Sequence, residues 1–196
     1  MHRSFNLFGQ RSFSDYALER FKHIARAIHK MSDVEVLMYE KNFDELIKKI
    51  MNDYYLSKID VSFDDKLVDI IGKPFDNHVR YFVEYTLMID GDPELLTIDP
   101  YPNFIKKFLF VEVKTNVLTF EIDTNYFSDE LNATAMQTVR YEYNQIKRFM
   151  CDALLHLNNE SQKFNLQLED YIIPILLDRL RKAHYNSHLR EKLNFK

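Results

Sequence analysis

Phe108-Leu109-Phe110-Val111-Glu112-Val113-Lys114-Thr115 reads as a β-strand that begins apolar and ends in Glu-x-Lys. Side chains alternate across a strand, so Glu112 and Lys114 are expected on one face. Upstream, a second apolar run, Leu95-Leu96-Thr97-Ile98-Asp99, closes at Pro100. A carboxylate and an ammonium at the mouth of a buried strand are costly unless they pair or bind something. With another acid nearby, they can hold a divalent metal against a phosphate.

Outward from this stretch, the chain alternates with period two. Val79–Ile89 is expected as one strand, Asp90-Gly91-Asp92-Pro93 as a hairpin turn and Glu94–Asp99 as its partner. Phe108–Thr115 is the third strand and Val117–Asp123 the fourth. Residues 60–76 suggest a short strand at Asp60–Phe63, then a loop punctuated by Gly72-Lys73-Pro74.

Helical spacing surrounds this region. Ser14-Asp15 opens a helix bearing Tyr16, Leu18, Phe21, Ile24, Ala25 and Ile28, and a second starts near Ser32-Asp33 or after Asn42. After Ser128-Asp129 a helix is expected through about Leu157, stopped by Asn158-Asn159. Lys163–Leu168 alternates like a short strand. A last helix then runs from Tyr171 to about His184, with Pro174 in its first turn. The expected class is therefore α+β: a central antiparallel four-stranded meander flanked by N-terminal and C-terminal helices.

Residues 1–13 scatter Phe5, Leu7, Phe8 and Phe13 among Arg and Ser around Gly9. They are expected to form an extended N-terminal arm that docks on its own body or on a second subunit. Residues 14–196 are expected as a single α+β domain. The 196 residues include 26 Lys and Arg against 30 Asp and Glu, a net charge of −4, but the basic groups concentrate at both ends. Basic ends around an acidic middle suit nucleic acid, or electrostatic pairing between subunits, or simply solvated helix faces. The single cysteine, Cys151, sits among Phe149, Met150, Leu154 and Leu155 and is expected to pack in the core. No membrane span or secretory signal is legible, and a cytoplasmic, intracellular setting is expected. With only three glycines, phosphate-cradling loops are nearly excluded.

Asp99, Glu112 and Lys114 together resemble the PD-(D/E)XK nuclease superfamily, in which a hairpin presents Asp and then (Asp/Glu)-x-Lys on the next strand. The resemblance covers about residues 78–141. It implies that Asp99 and Glu112 hold Mg²⁺ or Mn²⁺ and that Lys114 aligns the attacking water. Gln137-Thr138-Val139-Arg140-Tyr141 is similar to the Gln-x-x-x-Tyr helix of the RecB-type branch. That branch places a histidine ligand upstream, a position His78 occupies, and Glu84 is an alternative third acid.

The pattern departs from the family in three places. Pro100 follows Asp99 instead of preceding it, no glycine closely precedes the aspartate, and Val117–Asp123 follows the lysine where the family enters a helix. Plainer readings stand beside it. Asp64-Asp65-Lys66 has the same spacing, Glu and Lys at strand ends guard sheet edges, and residues four apart on a helix often just pack. Two functions follow. One is a metal-dependent nuclease, with Lys114, Gln137 and Tyr141 in the catalytic machinery and Asp99, Glu112, His78 or Glu84 on the metal. The other is a non-enzymatic assembly or adaptor protein, part of a homo-oligomer or a viral or phage particle, acting through its Phe-rich basic arm.

Overall fold

The computed structural model describes residues 2–101, 109–127 and 131–193. Its elements are β1 (His2–Asn6), β2 (Arg11–Ser12), α1 (Phe13–Lys30), α2 (Asp33–Met38), α3 (Phe43–Tyr54), β3 (Asp60–Phe75), β4 (His78–Asp90), β5 (Ile98–Asp99), β6 (Phe110–Lys114), β7 (Val117–Tyr126) and α4 (Ala133–Lys192). The class is α+β, as the mixed periodicities require. Two compact units divide the chain: Met1–Phe13 with Ser57–Asn159, and Ser14–Leu56 with Glu160–Lys196.

The first unit is built on a five-stranded antiparallel sheet of order β1-β6-β7-β4-β3, with β2 and β5 forming a separate parallel pair. Alternation in β4 and β7 puts Val83, Tyr85, Leu87, Leu118, Phe120 and Ile122 on the buried face. The first part of α4 contributes Val139, Tyr143, Ile146 and Met150, also buried. Tyr143 stacks on Tyr85 with centroids 4.4 Å apart, and its hydroxyl donates to the Phe63 carbonyl at 2.9 Å. Burying such a side chain contributes roughly 1.5–3 kcal/mol.

The strand order corrects the expected meander. Pro93–Thr97 is a 3-10 turn, capped by Asp92 accepting from the Glu94 N–H at 2.9 Å. Leu95, Leu96 and Thr97 are all buried in succession, which a half-exposed strand cannot achieve. Ile98 and Asp99 pair with Arg11 and Ser12, not with β4. The partner of β4 is β3, whose strand runs straight through Gly72-Lys73-Pro74 to close on Asp76-Asn77. Gly72 fits because Val79 and Tyr81 cross over it: a Cβ there would lie 2.8 Å from Val79 Cγ1.

Pro74 fits for a different reason. In a hairpin with a two-residue loop, the flanking pair Phe75 and His78 exchange hydrogen bonds, so Pro74 turns its nitrogen outward. The first residues of the chain lie in this unit: β1 pairs with β6, and Phe5, Leu7, Phe8 and Phe13 are buried. The expected helix start at Ser128-Asp129 and the first residue of the expected third strand, Phe108, lie outside the described residues.

In the second unit, α1 buries Tyr16, Ile24 and Ile28, and α3 buries Leu46, Ile47 and Ile50. Ser32 caps α2, its hydroxyl accepting from the Glu35 N–H at 3.1 Å. Phe21 packs against Phe164 and Tyr171, at 4.7 and 4.4 Å. Arg179 donates to the Met31 carbonyl at 2.6 Å and to Asp33 at 2.7 Å, and Arg190 adds a second cation at 2.9 Å. These guanidiniums hold the Asp33 carboxyl below the usual carboxylate range, against the opposing effect of its burial.

α4 corrects four expectations. Asn158 does not stop the helix: its amide brackets Ile59, accepting from the N–H and donating to the carbonyl, both at 2.9 Å. Within the second unit, Asn165 does the same to Leu56, again at 2.9 Å on both sides. The residues expected as a strand at 163–168 are helical, with Phe164 and Leu168 buried one turn apart and Leu166 exposed between them. Pro174 lies inside the helix, where the position of the donor it lacks is exposed. Cys151 is exposed, because the buried stripe runs through Met150, Ala153, Leu154 and Leu157. Among the described residues, no helix is long and apolar enough to cross a membrane.

Candidate functional site

The sheet of the first unit has a second face, and most of the candidate residues on strands point there. Glu112 and Lys114 alternate with buried Val111 and Val113, so both project to solvent, as their spacing predicts. Register puts Glu112 opposite Ser4 and Thr119. Glu84 lies on the same face of β4, opposite Asp69 on β3 and Glu121 on β7. Three carboxylates thus stand in a row across adjacent strands, an arrangement that costs free energy wherever no cation intervenes. One shallow depression of about 370 Å³ is lined by Lys73, Phe82, Glu84, Phe110, Glu112 and Glu121.

Cations relieve one end of this row. Lys73 bonds both Glu121 oxygens, at 2.7 and 2.5 Å, with its ammonium 5.3 Å from the Phe82 ring centre. Arg80 bonds Asp123 at 2.6 Å and Asn125 at 2.5 Å, and lies over Phe75. Lys73 and Arg80 are themselves directly opposite across the hairpin, so two like charges adjoin there as well. Asp69 and Lys73 escape the sequence reading because they lie on β3 where a loop is expected, and Arg80, Glu121 and Asp123 because the expected meander does not place β4 beside β7. The turn dipeptide Asp76-Asn77 between apolar runs was the available signal.

The remaining candidates lie elsewhere. Asp99 is on β5, which pairs with β2 and not with the strand that carries Glu112. His78 is exposed at the hairpin turn, edge-on to Phe127 at 5.6 Å. Gln137 and Tyr141 are exposed one turn apart on α4. Among the described residues, no three His, Cys, Asp or Glu side chains are grouped to hold a metal ion. Several basic residues near the chain ends are engaged within their own units: Arg11 with Glu94 at 2.6 Å, Arg179 and Arg190 with Asp33, and Lys182 with Asp178 at 2.6 Å.

Among the described residues, the sheet's far edge carries a run of exposed apolar side chains. β3 is an edge strand, and Leu67, Val68, Ile70 and Phe75 are 72, 53, 45 and 49% exposed. Pairing with β4 alternates, so Val68, Ile70, Gly72 and Pro74 turn their backbone groups away from the sheet. The Ile70 N–H confirms the direction, donating to its neighbour's Asp69 carboxylate at 2.8 Å.

The chain is an α+β protein in which, among the described residues, one face of the first unit's sheet and its apolar β3 edge are uncovered. No family model, curated protein or solved structure matches it.

Proposed function

We propose that this chain is a non-enzymatic assembly protein that associates with further copies of itself. The observation that supports this reading is the β3 edge: a 16-residue strand whose outer half exposes Leu67, Val68, Ile70 and Phe75 beside unpaired ladder positions. Such an edge templates strand pairing unless it is covered. The assembling surface is then β3 and not residues 1–13, which take part in the chain's own sheet. Sedimentation equilibrium over a concentration series tests it. A mass rising above one chain is expected, and a single-chain mass throughout would end the reading.

A second reading keeps the metal-dependent nuclease, because Glu84 and Glu112 line one depression beside Lys73. Carboxylate oxygens are suitable ligands for Mg²⁺ or Mn²⁺. Calorimetric titration of Mn²⁺ into the protein and into Glu112→Ala tests this reading. Binding that the substitution removes would support it, and no binding to either protein would dismiss it.

A further inference from the structure

Resting on the assembly reading, we infer that two copies join edge to edge along β3, antiparallel, about a two-fold axis through Ile71. The backbone permits this. Outward groups belong to Val68, Ile70, Gly72 and Pro74, and a hydrogen-bonded antiparallel pair joins outward residue to outward residue. A two-fold through Ile71 sets Ile70 against the partner's Gly72, each N–H donating to the other's carbonyl. Val68 donates to the partner's Pro74 carbonyl, so the residue lacking an N–H is used only as an acceptor.

Charge selects this register among those the backbone permits. On the outer face Asp69 meets the partner's Lys73, whose ammonium also holds its own chain's Glu121, and the pairing recurs on the other side of the axis. Within one chain, Asp69, Glu84 and Glu121 form an acidic row across three strands, and Lys73 with Arg80 forms a basic one. Joined about Ile71, each acidic row runs on into the partner's basic row. Shifting the axis by one residue toward either end of the strand separates Asp69 from Lys73.

The apolar side chains agree. Leu67 comes opposite the partner's Phe75, and Ile71 meets its own copy. Ile70 lies beside the bare Gly72, whose own face is occupied by Val79 and Tyr81. In the single chain, Asp69 Oδ1 accepts the Ile70 N–H. In the pair, the partner's carbonyl takes over that N–H and the carboxylate turns to the partner's Lys73. An isologous contact of this kind closes on itself and gives a dimer, not a fibre.

The test is the dimer dissociation constant, read by sedimentation velocity, for the full chain and for Asp69→Lys, Lys73→Asp and the double exchange. Each single change sets like charges opposite at both symmetry-related positions and is expected to weaken the dimer about tenfold or more. The double exchange restores both pairs and is expected to return the constant to within about threefold of the original. Ile70→Pro removes an outward N–H that β4 does not use, at an edge-strand position where Pro is tolerated, and is expected to give a folded single chain, which keeps the test decisive if a charge variant does not fold. Self-association that the single changes leave untouched, or that the double exchange fails to restore, would overturn this register and leave the assembly reading standing. A wild-type chain that never associates would overturn both.

Discussion

Replacing Tyr143 with Phe probes the packing of helix on sheet with a single oxygen atom. The phenol donates to the Phe63 carbonyl at 2.9 Å, and its ring stacks on Tyr85. Phe keeps the stack and leaves the carbonyl without this donor, costing about 1 kcal/mol at neutral pH. Burial, with Tyr85 and Asp64 nearby, pushes the Tyr143 phenol from 10.0 up to about 12. The fold therefore favours the protonated phenol. Its contribution is complete below pH 10 and is lost as the pH rises toward 12. At pH 11 the full shift corresponds to about 1.4 kcal/mol lost, or about 1 kcal/mol once solvent screening is allowed for.

Urea unfolding of both proteins at pH 8 and pH 11 reads this directly. The lysines and the tyrosines other than Tyr85 titrate in both proteins, so their effects largely cancel in the difference. Wild type is expected to be more stable by about 1 kcal/mol at pH 8, and the two should be nearly equal at pH 11. An equal gap at both pH values would refute the argument that burial of this hydroxyl sets its titration.

Asn158→Ala strips partners from both the N–H and the carbonyl of Ile59 and is expected to cost about 1–3 kcal/mol in urea unfolding. Asn158→Asp keeps the acceptor but not the donor and should fall between the two; an alanine variant as stable as wild type would contradict the bracket. Asp33 has its carboxyl held down by Arg179, so its contribution is present above the unfolded value of about 3.9 and is lost as the pH falls further. Asp33→Asn should accordingly lower stability at pH 7 yet flatten its decline below about pH 4, and parallel acid limbs in the two proteins would contradict this.

The α+β class was legible because period two marks β4 and β7 while period 3.6 marks α1 and the first part of α4. The shared face of Glu112 and Lys114 was legible for the same reason. Other elements were hidden by residues whose ordinary meaning was overridden by tertiary contacts. Gly72 and Pro74 normally break strands. Here one receives the side chains of Val79 and Tyr81, and the other sits on a free edge where its missing N–H costs nothing. Asn158 normally ends helices, but its amide is occupied by Ile59. The buried run at 95–97 resembled a strand because Leu95, Leu96 and Thr97 are all covered, so no exposed position marks the period of the 3-10 turn. Losing the strand at 64–75 also concealed the acidic and basic rows, since a row across strands exists only once its register is known.

Hydrogen exchange along β3 at increasing protein concentration reads the edge-to-edge pairing at the amides themselves. Peptides covering Val68, Ile70 and Gly72 report the outward amides, while Val83 and Tyr85 on β4 serve as the internal reference. Exchange at the three outward positions should slow as concentration rises, with β4 unchanged. Rates on β3 that are the same at every concentration would contradict the account.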